Sequence, residues 1–290
     1  MPTMLSPKQL LHCIWKAVAN TVSHDGIEHA GYLAFLGLLA MFPFLVFIFA
    51  IVGFLGQGAA GAAFITSMLQ TLPDHVTAAL TPRIVEIVSG PPQGLLTISI
   101  LGAVWTASSA VEGLRTILNR AYHVHTPPAY WLRRSLSIAQ LLVFTFIIIS
   151  GMILMVAIPL ALHQIEDRLN IHLAEYQTYW GQMAFFITIG VLFIAICYIY
   201  YVIPNIRQRF VTVAPGAAIV VIAWLSAAHL FTLYLSNFNQ VNLIYGSLGG
   251  IIAALVFFYI CNVIFIFGAE FNHQIADALG LRIVEREVSE

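Results

Sequence analysis

The sequence predicts an all-α, polytopic membrane protein with six transmembrane helices and amphipathic interfacial helices, on three observations. The first is composition: 60% of the 290 residues are hydrophobic and only 9% are charged, with a mean hydropathy of +0.90. A soluble domain is about 45–50% apolar and about 25% charged, so these few charges cannot cover a water-facing surface. The second is the length of the uncharged stretches. Ala30–Leu72 contains no acidic, basic or histidine residue, and Phe210–Ala269 is interrupted only by His229. The third is that the few basic residues are sorted along the chain, as set out below.

The elements follow in order. Residues 6–24 place Leu10, Leu11, Ile14, Trp15, Val18 and Val22 at three-to-four spacing, opposite Lys8, Lys16 and Asn20. That pattern predicts a helix lying in the membrane interface. A span needs about 20 apolar residues at 1.5 Å each. The uncharged stretches therefore give spans over about 31–55, 94–114, 135–161, 180–203, 211–235 and 243–270. The last two divide at the polar patch Ser236-Asn237-Phe238-Asn239-Gln240-Val241-Asn242. Barrel strands would alternate apolar and polar residues, whereas Phe42–Leu55 is apolar almost throughout. The loop at about 56–93 and the segment at about 163–179 carry apolar stripes and are expected to be surface helices. The organisation is thus an N-terminal amphipathic segment (1–29), a six-helix membrane domain (30–275) and a C-terminal tail (276–290).

With six spans both termini share a side. That side holds Lys8, Lys16, Arg115, Arg120, Arg133, Arg134, Arg207, Arg209, Arg282 and Arg286, and the other holds Arg83 and Arg168. Basic residues concentrate in cytoplasmic loops, so both termini are expected in the cytoplasm. The first apolar run is too long for a signal-peptide core and is expected to remain as an anchor. None of Cys13, Cys197 and Cys261 falls in an outer loop, so no outer disulfide is expected.

Charged groups near a membrane are the first functional candidates. Glu112 lies roughly 26 Å along the second span, with Arg115 one turn on. Glu270 closes the sixth span on the cytoplasmic side, where Asp25, Glu28 and His29 precede the first. Carboxylates from three helix ends can therefore share one cytoplasmic mouth. His229 lies near the outer interface, and Asn262 in the sixth span reads as an interhelical hydrogen bond. Together Glu28, Glu112, Arg115, His229, Asn262 and Glu270 are the candidates for a substrate or ion path. Pro43 removes a backbone bond and is expected to kink the first span. Gly102, Thr106 and Ala110, and Gly246 with Gly250, recur every fourth residue and are expected to let helices approach closely. His123-Val124-His125 is a lone pair of loop histidines without a neighbouring acidic cluster, so no metal site and no cofactor are assigned. No phosphate-binding loop and no serine elbow occurs, so no catalytic residue is assigned and no enzyme is expected. A net charge of −1 gives no basic face for nucleic acid.

The blocks Pro204-Asn205, Ala214-Pro215-Gly216-Ala217-Ala218, Phe231-Thr232-Leu233-Tyr234-Leu235, Tyr245-Gly246-Ser247-Leu248-Gly249-Gly250 and Gly268-Ala269-Glu270 resemble the YihY/BrkB family of bacterial inner-membrane proteins. Leu38-Leu39-Ala40-Met41-Phe42-Pro43 looks like that family's Phe-Pro segment. The chain departs from the family at Phe35, Leu36 and Ala40, where relatives often carry tyrosines and a serine, and at Phe257, where they often carry tryptophan. The resemblance implies a six-helix protein of the bacterial inner membrane. Labels given to the family include a serum-resistance virulence factor, an exporter of envelope lipid and ribonuclease BN. The expected function is transport or translocation of an envelope lipid or amphiphilic solute. The alternative is a non-transporting scaffold for envelope-biogenesis partners. Membrane lipids, and a second copy or an envelope protein, are the expected partners.

Overall fold

Ser6 opens the first helix with a capping box: its hydroxyl accepts from the Gln9 N–H, and the Gln9 side chain accepts from the Ser6 N–H at 2.8 Å. Pro7 follows at the first helical position, where its missing N–H costs nothing, and α1 runs Pro7–Ser23. After a turn at His24 and Asp25 come α2 (Gly26–Leu55), α3 (Gln93–Ala121), α4 (Tyr130–Leu169), α5 (Ala174–Val202), α6 (Phe210–Ser236) and α7 (Ser247–Ala278). This computed structural model describes residues 6–55, 93–124, 129–169, 174–236, 247–281 and 284–285. Two short strands complete it, β1 (Ile206–Arg207) and β2 (Val284–Glu285), paired antiparallel with Ile206 opposite Glu285.

Among the described residues, Tyr130–Leu154, Gln182–Val202, Phe210–Leu235 and Gly249–Ala278 are long and apolar enough to cross a membrane. Their outward surfaces are apolar: Phe146 is 70% exposed, Phe186 69% and Ile222 66%. Water would penalise each such side chain by about 1.5–3 kcal/mol relative to burial, whereas lipid tails accept them. The chain is a helical, multi-pass membrane protein.

The helices outrun the predicted spans. The stripe expected at 163–179 is no separate surface helix: residues 163–169 continue α4 and 174–179 begin α5. A helix once formed propagates cheaply, so polar ends are carried along. The sixth span likewise continues to Ala278, and β2 returns the chain to β1. The α2 helix runs unbroken through Pro43. The apolar stripes of 56–92 lie outside the described residues.

The chain forms two compact units. One comprises Met1–Ala40, Ser108–Gln140 and Ile196–Glu290. In it α6 and α7 cross where Gly216 faces Gly268, so closely that a Cβ on either would clash with its neighbours. Phe265 stacks on Tyr200 and Trp224, and the Trp224 Nε1–H donates to the Cys261 carbonyl at 2.8 Å. Cys13 and Ala17 of α1 pack on Phe271 and Ile275 of α7. The other unit comprises Met41–Ala107 and Leu141–Ala195, with Phe44 against Phe144 and Gly151 against Val191.

The close approaches differ from those the small-residue spacing suggested. Gly102 and Gly250 have open space where a Cβ would stand, and the buried face of α3 carries Ala103, Ala107 and Val111. Every turn of such a helix offers small residues on more than one face, so spacing alone does not fix its rotation. Gly246 lies outside the described residues.

Candidate functional site

Among the described residues, the first unit carries two polar clusters and a cavity. The first cluster is built around Arg115 of α3, whose side chain is 3% exposed. Pro204 stops α5 and leaves its last carbonyls without helical partners. Arg115 Nη1–H donates to the Ile203 carbonyl at 2.9 Å, and Gln140 Nε2–H to the Val202 carbonyl at 3.1 Å. Arg115 also donates to the Gln140 side-chain oxygen and the Ser137 hydroxyl. Its charge is matched by Glu112, one turn earlier, with Nε and Oε2 3.4 Å apart. Glu112 in turn accepts from Ser137 at 2.9 Å and pairs with Arg133 at 3.2 Å. A guanidinium cationic at the membrane end of α5 also suits the negative end of that helix. The cluster therefore closes α5 onto α3 and α4.

The second cluster gathers around Glu270 of α7, which is 1% exposed. His24 caps α1, and its Nδ1 stands 2.8 Å from Glu270 Oε1. Asn20, one turn earlier in α1, donates to Glu270 Oε2 at 3.4 Å. His123, just past the end of α3, lies edge-to-face on His24 with ring centroids 4.9 Å apart. His273, one turn beyond Glu270, lies 4.9 Å from His123 on the same measure. Tyr122 is buried beside Asn272 and His273, and burial pushes its hydroxyl well above the usual phenol range. Arg120, three residues before His123, and Asp25, next to His24, form an exposed ion pair. Asn272 Oδ1 accepts the Gly216 N–H at 2.8 Å, next to Pro215, which has no N–H to give.

The cavity, of about 430 Å³, is lined by Arg207, Gln208, Arg209 and Thr212 on one side and Ala276, Gly280, Leu281 and Val284 on the other. It sits where two candidate spans end, just before Phe210 and just after Ala278.

Among the candidates read from sequence, Glu112 meets Arg115 and Glu270 meets His24, and the two carboxylates have different partners. Glu28 is exposed on the first turn of α2. His229 is exposed on α6. Among the described residues Asn262 makes no interhelical bond: its Nδ2–H donates to the Phe258 carbonyl of its own helix at 2.8 Å, one turn back. His125 lies outside the described residues.

Residues 17–287 match the family model described as Virulence factor BrkB. The chain belongs to the BrkB family. It is 26% identical over 252 residues to the protein named ribonuclease-like YfkH of Bacillus subtilis, covering 86% of this chain and 90% of that one. It is 25% identical to a UPF0761 membrane protein of Alteromonas mediterranea, covering 86% of this chain and 82% of the relative. A UPF0761 membrane protein of Vibrio parahaemolyticus is 25% identical, with 88% and 80% covered. No solved structure matches the chain.

For this BrkB-family chain, sequence reading missed Asn20, His24, Ser137 and Gln140 as partners of the two glutamates, and Arg207 with Arg209 as a cavity wall. One signal was available for the last: basic residues directly before a span, followed by a helix start. His24 gave none, because its partner is 246 residues away.

Proposed function

We propose that this chain is a translocator of an anionic envelope lipid or similar amphiphile in the bacterial inner membrane, with six spans, both termini in the cytoplasm and no ATP site of its own. The cavity at the foot of α6 carries the reading. Arg207 and Arg209 supply positive charge beside the first turn of α6, and a helix N-terminus favours phosphate through its free N–H groups. Leu281, Val284 and Ala276 give the opposite wall an apolar face suited to the start of an acyl chain. The volume falls within the roughly 300–1,000 Å³ typical of small-ligand sites. Substrate movement follows a gradient or a coupled ion, since ATP has no loop to hold its phosphates. The α2 and α3 helices, of 30 and 29 residues, supply the two further spans. An RNA-processing role is the weaker reading, because Arg115, Arg133 and Arg134 are engaged within the chain by Glu112, Ile203 and Ser109.

The full chain, reconstituted in phosphatidylcholine vesicles carrying a trace of headgroup-labelled phosphatidylglycerol, provides the test. Dithionite bleaching reports how fast label crosses from the inner leaflet. Transfer is expected to exceed that in protein-free vesicles, and the Arg207→Ala/Arg209→Ala double variant is expected to lose about tenfold in rate, the worth of one charge-assisted contact. Transfer no faster than in protein-free vesicles overturns the proposal. Stable co-purification of envelope proteins without lipid movement points instead to the scaffold role.

A further inference from the structure

Three chain segments far apart in sequence deliver nitrogen and oxygen ligands to one point. His24, His123 and Glu270 each offer a ligand atom, and these atoms all lie within 4.8 Å of one another. A tetrahedral zinc site, with bonds of about 2.0–2.2 Å, holds its ligand atoms roughly 3.3 Å apart. His24 Nδ1 and Glu270 Oε1, at 2.8 Å, are already near that spacing. The exposed member, His123, is the one free to close the remaining distance of about 1.5 Å by side-chain rotation.

Several further features suit a metal better than a plain ion pair. His123 holds a left-handed backbone, φ 56°, where the Val124 N–H closes the end of α3 on the Asn119 carbonyl at 2.8 Å, and this turn fixes where its ring leaves the helix. Asn20 holds the second oxygen of Glu270, leaving Oε1 directed at His24. Orientation of a ligating carboxylate by such a neighbour is the usual supporting arrangement. His273 stands beside the site: its ring packs on His123, and its Nδ1 is buried and makes no hydrogen bond among the described residues. A His–Glu pair requires one imidazole; here a second, His123, offers its nitrogen to the same buried carboxylate.

We infer that His24, His123 and Glu270, with His273 or water as fourth ligand, form a binding site for a divalent transition-metal ion, zinc foremost. Imidazole ligands select Zn²⁺ and its neighbours over Mg²⁺ and Ca²⁺, which take oxygen. The ion ties the end of α1 and the end of α3 to α7. Because the ligands come from elements distant in the chain, binding stabilises the folded state by an amount that grows with the logarithm of free metal above its Kd. The site is separate from the arginine-lined cavity, and its test does not depend on transport.

The chelator-stripped full chain in detergent is titrated with Zn²⁺ by calorimetry, with Mg²⁺ in parallel. One Zn²⁺ per chain is expected with Kd below about 1 μM, together with a rise in Tm that Mg²⁺ does not give. His123→Ala changes an exposed side chain and so leaves folding intact; it is expected to weaken binding at least tenfold and to abolish the Tm rise. His12→Ala, an exposed histidine of α1 away from the cluster, is expected to bind as the unsubstituted protein does. X-ray absorption of the loaded protein is expected to show nitrogen and oxygen ligands at about 2.0 Å. No uptake of Zn²⁺, equal affinity in His123→Ala, or sulfur ligation at about 2.3 Å each overturns the inference.

Discussion

Arg115 shows how a charge near a bilayer is held without a substrate. Its guanidinium reaches the backbone carbonyl that follows α5, a serine and a glutamine of α4, and a carboxylate one turn earlier on α3. Only a planar five-donor group serves so many acceptors at once. Removing it orphans the Ile203 carbonyl and strips Glu112 of one of its two cations. Arg115→Ala is therefore expected to destabilise the fold by about 3 kcal/mol, read as loss of Tm in detergent. Arg115→Lys recovers only part, because one ammonium cannot span these acceptors. If Arg115→Ala melts as the unsubstituted protein does but loses lipid transfer, Arg115 belongs to the substrate path and not to the closure of α5. The sequence exposed the Glu112–Arg115 half of this cluster through its one-turn spacing. It concealed Ser137, Gln140 and Ile203, since partners on other helices leave no mark at any local period.

Among the helices, α1 divides its faces by size and not by polarity. Cys13, Ala17 and Thr21, each four residues from the next, are buried, while Leu11 and Trp15 remain 69% and 72% exposed. The amphipathic stripe was legible as an interfacial helix, and the exposed large residues fit a membrane surface. The small face that docks on α7 was not legible, because it occupies positions that a hydropathy pattern scores as neutral. Ala17 is 0% exposed and packs in the cluster with Phe271 and Ile275. Ala17→Leu adds three carbons where no space exists, which typically costs about 1–3 kcal/mol. The expected result is a lower Tm and faster proteolysis of the first residues, with the rest of the chain intact. An unchanged digestion pattern means that α1 docks through its large residues instead. The close crossing of α6 and α7 follows the same logic of small residues, Gly216 on Gly268, but Gly102 and Gly250 show that a glycine alone does not place a contact.

For the molecule as a whole, composition determined the class and little beyond it. A helix in water shows its inner face by where the apolar residues fall; a helix in lipid is apolar all round, and that signal vanishes. This is why four of the six predicted spans overlap helices long and apolar enough to cross a membrane, while the spacing points to Gly102 and Thr106 and the buried face of α3 carries Ala103 and Ala107. Sorting of charge survives in lipid because it acts at the ends of the spans. Ten of the twelve basic residues fall on one predicted side, and basic loops stay in the cytoplasm. Under the proposed topology, the same rule puts Arg207, Arg209 and their cavity on the cytoplasmic face and so sets the leaflet from which the proposed substrate would enter. The matching experiment replaces Cys13, Cys197 and Cys261 by alanine and introduces a single cysteine at Ser6, Asp74 or Ser289. A membrane-impermeant maleimide is then applied to spheroplasts before and after lysis. Ser6→Cys and Ser289→Cys are expected to label only after lysis, and Asp74→Cys before it. Labelling of Ser289→Cys in intact spheroplasts reverses the orientation, and labelling of only one terminus makes the number of spans odd. Either result moves the arginine cavity to the outer face or removes one helix from the bundle, so topology is the measurement on which the direction of any lipid movement depends.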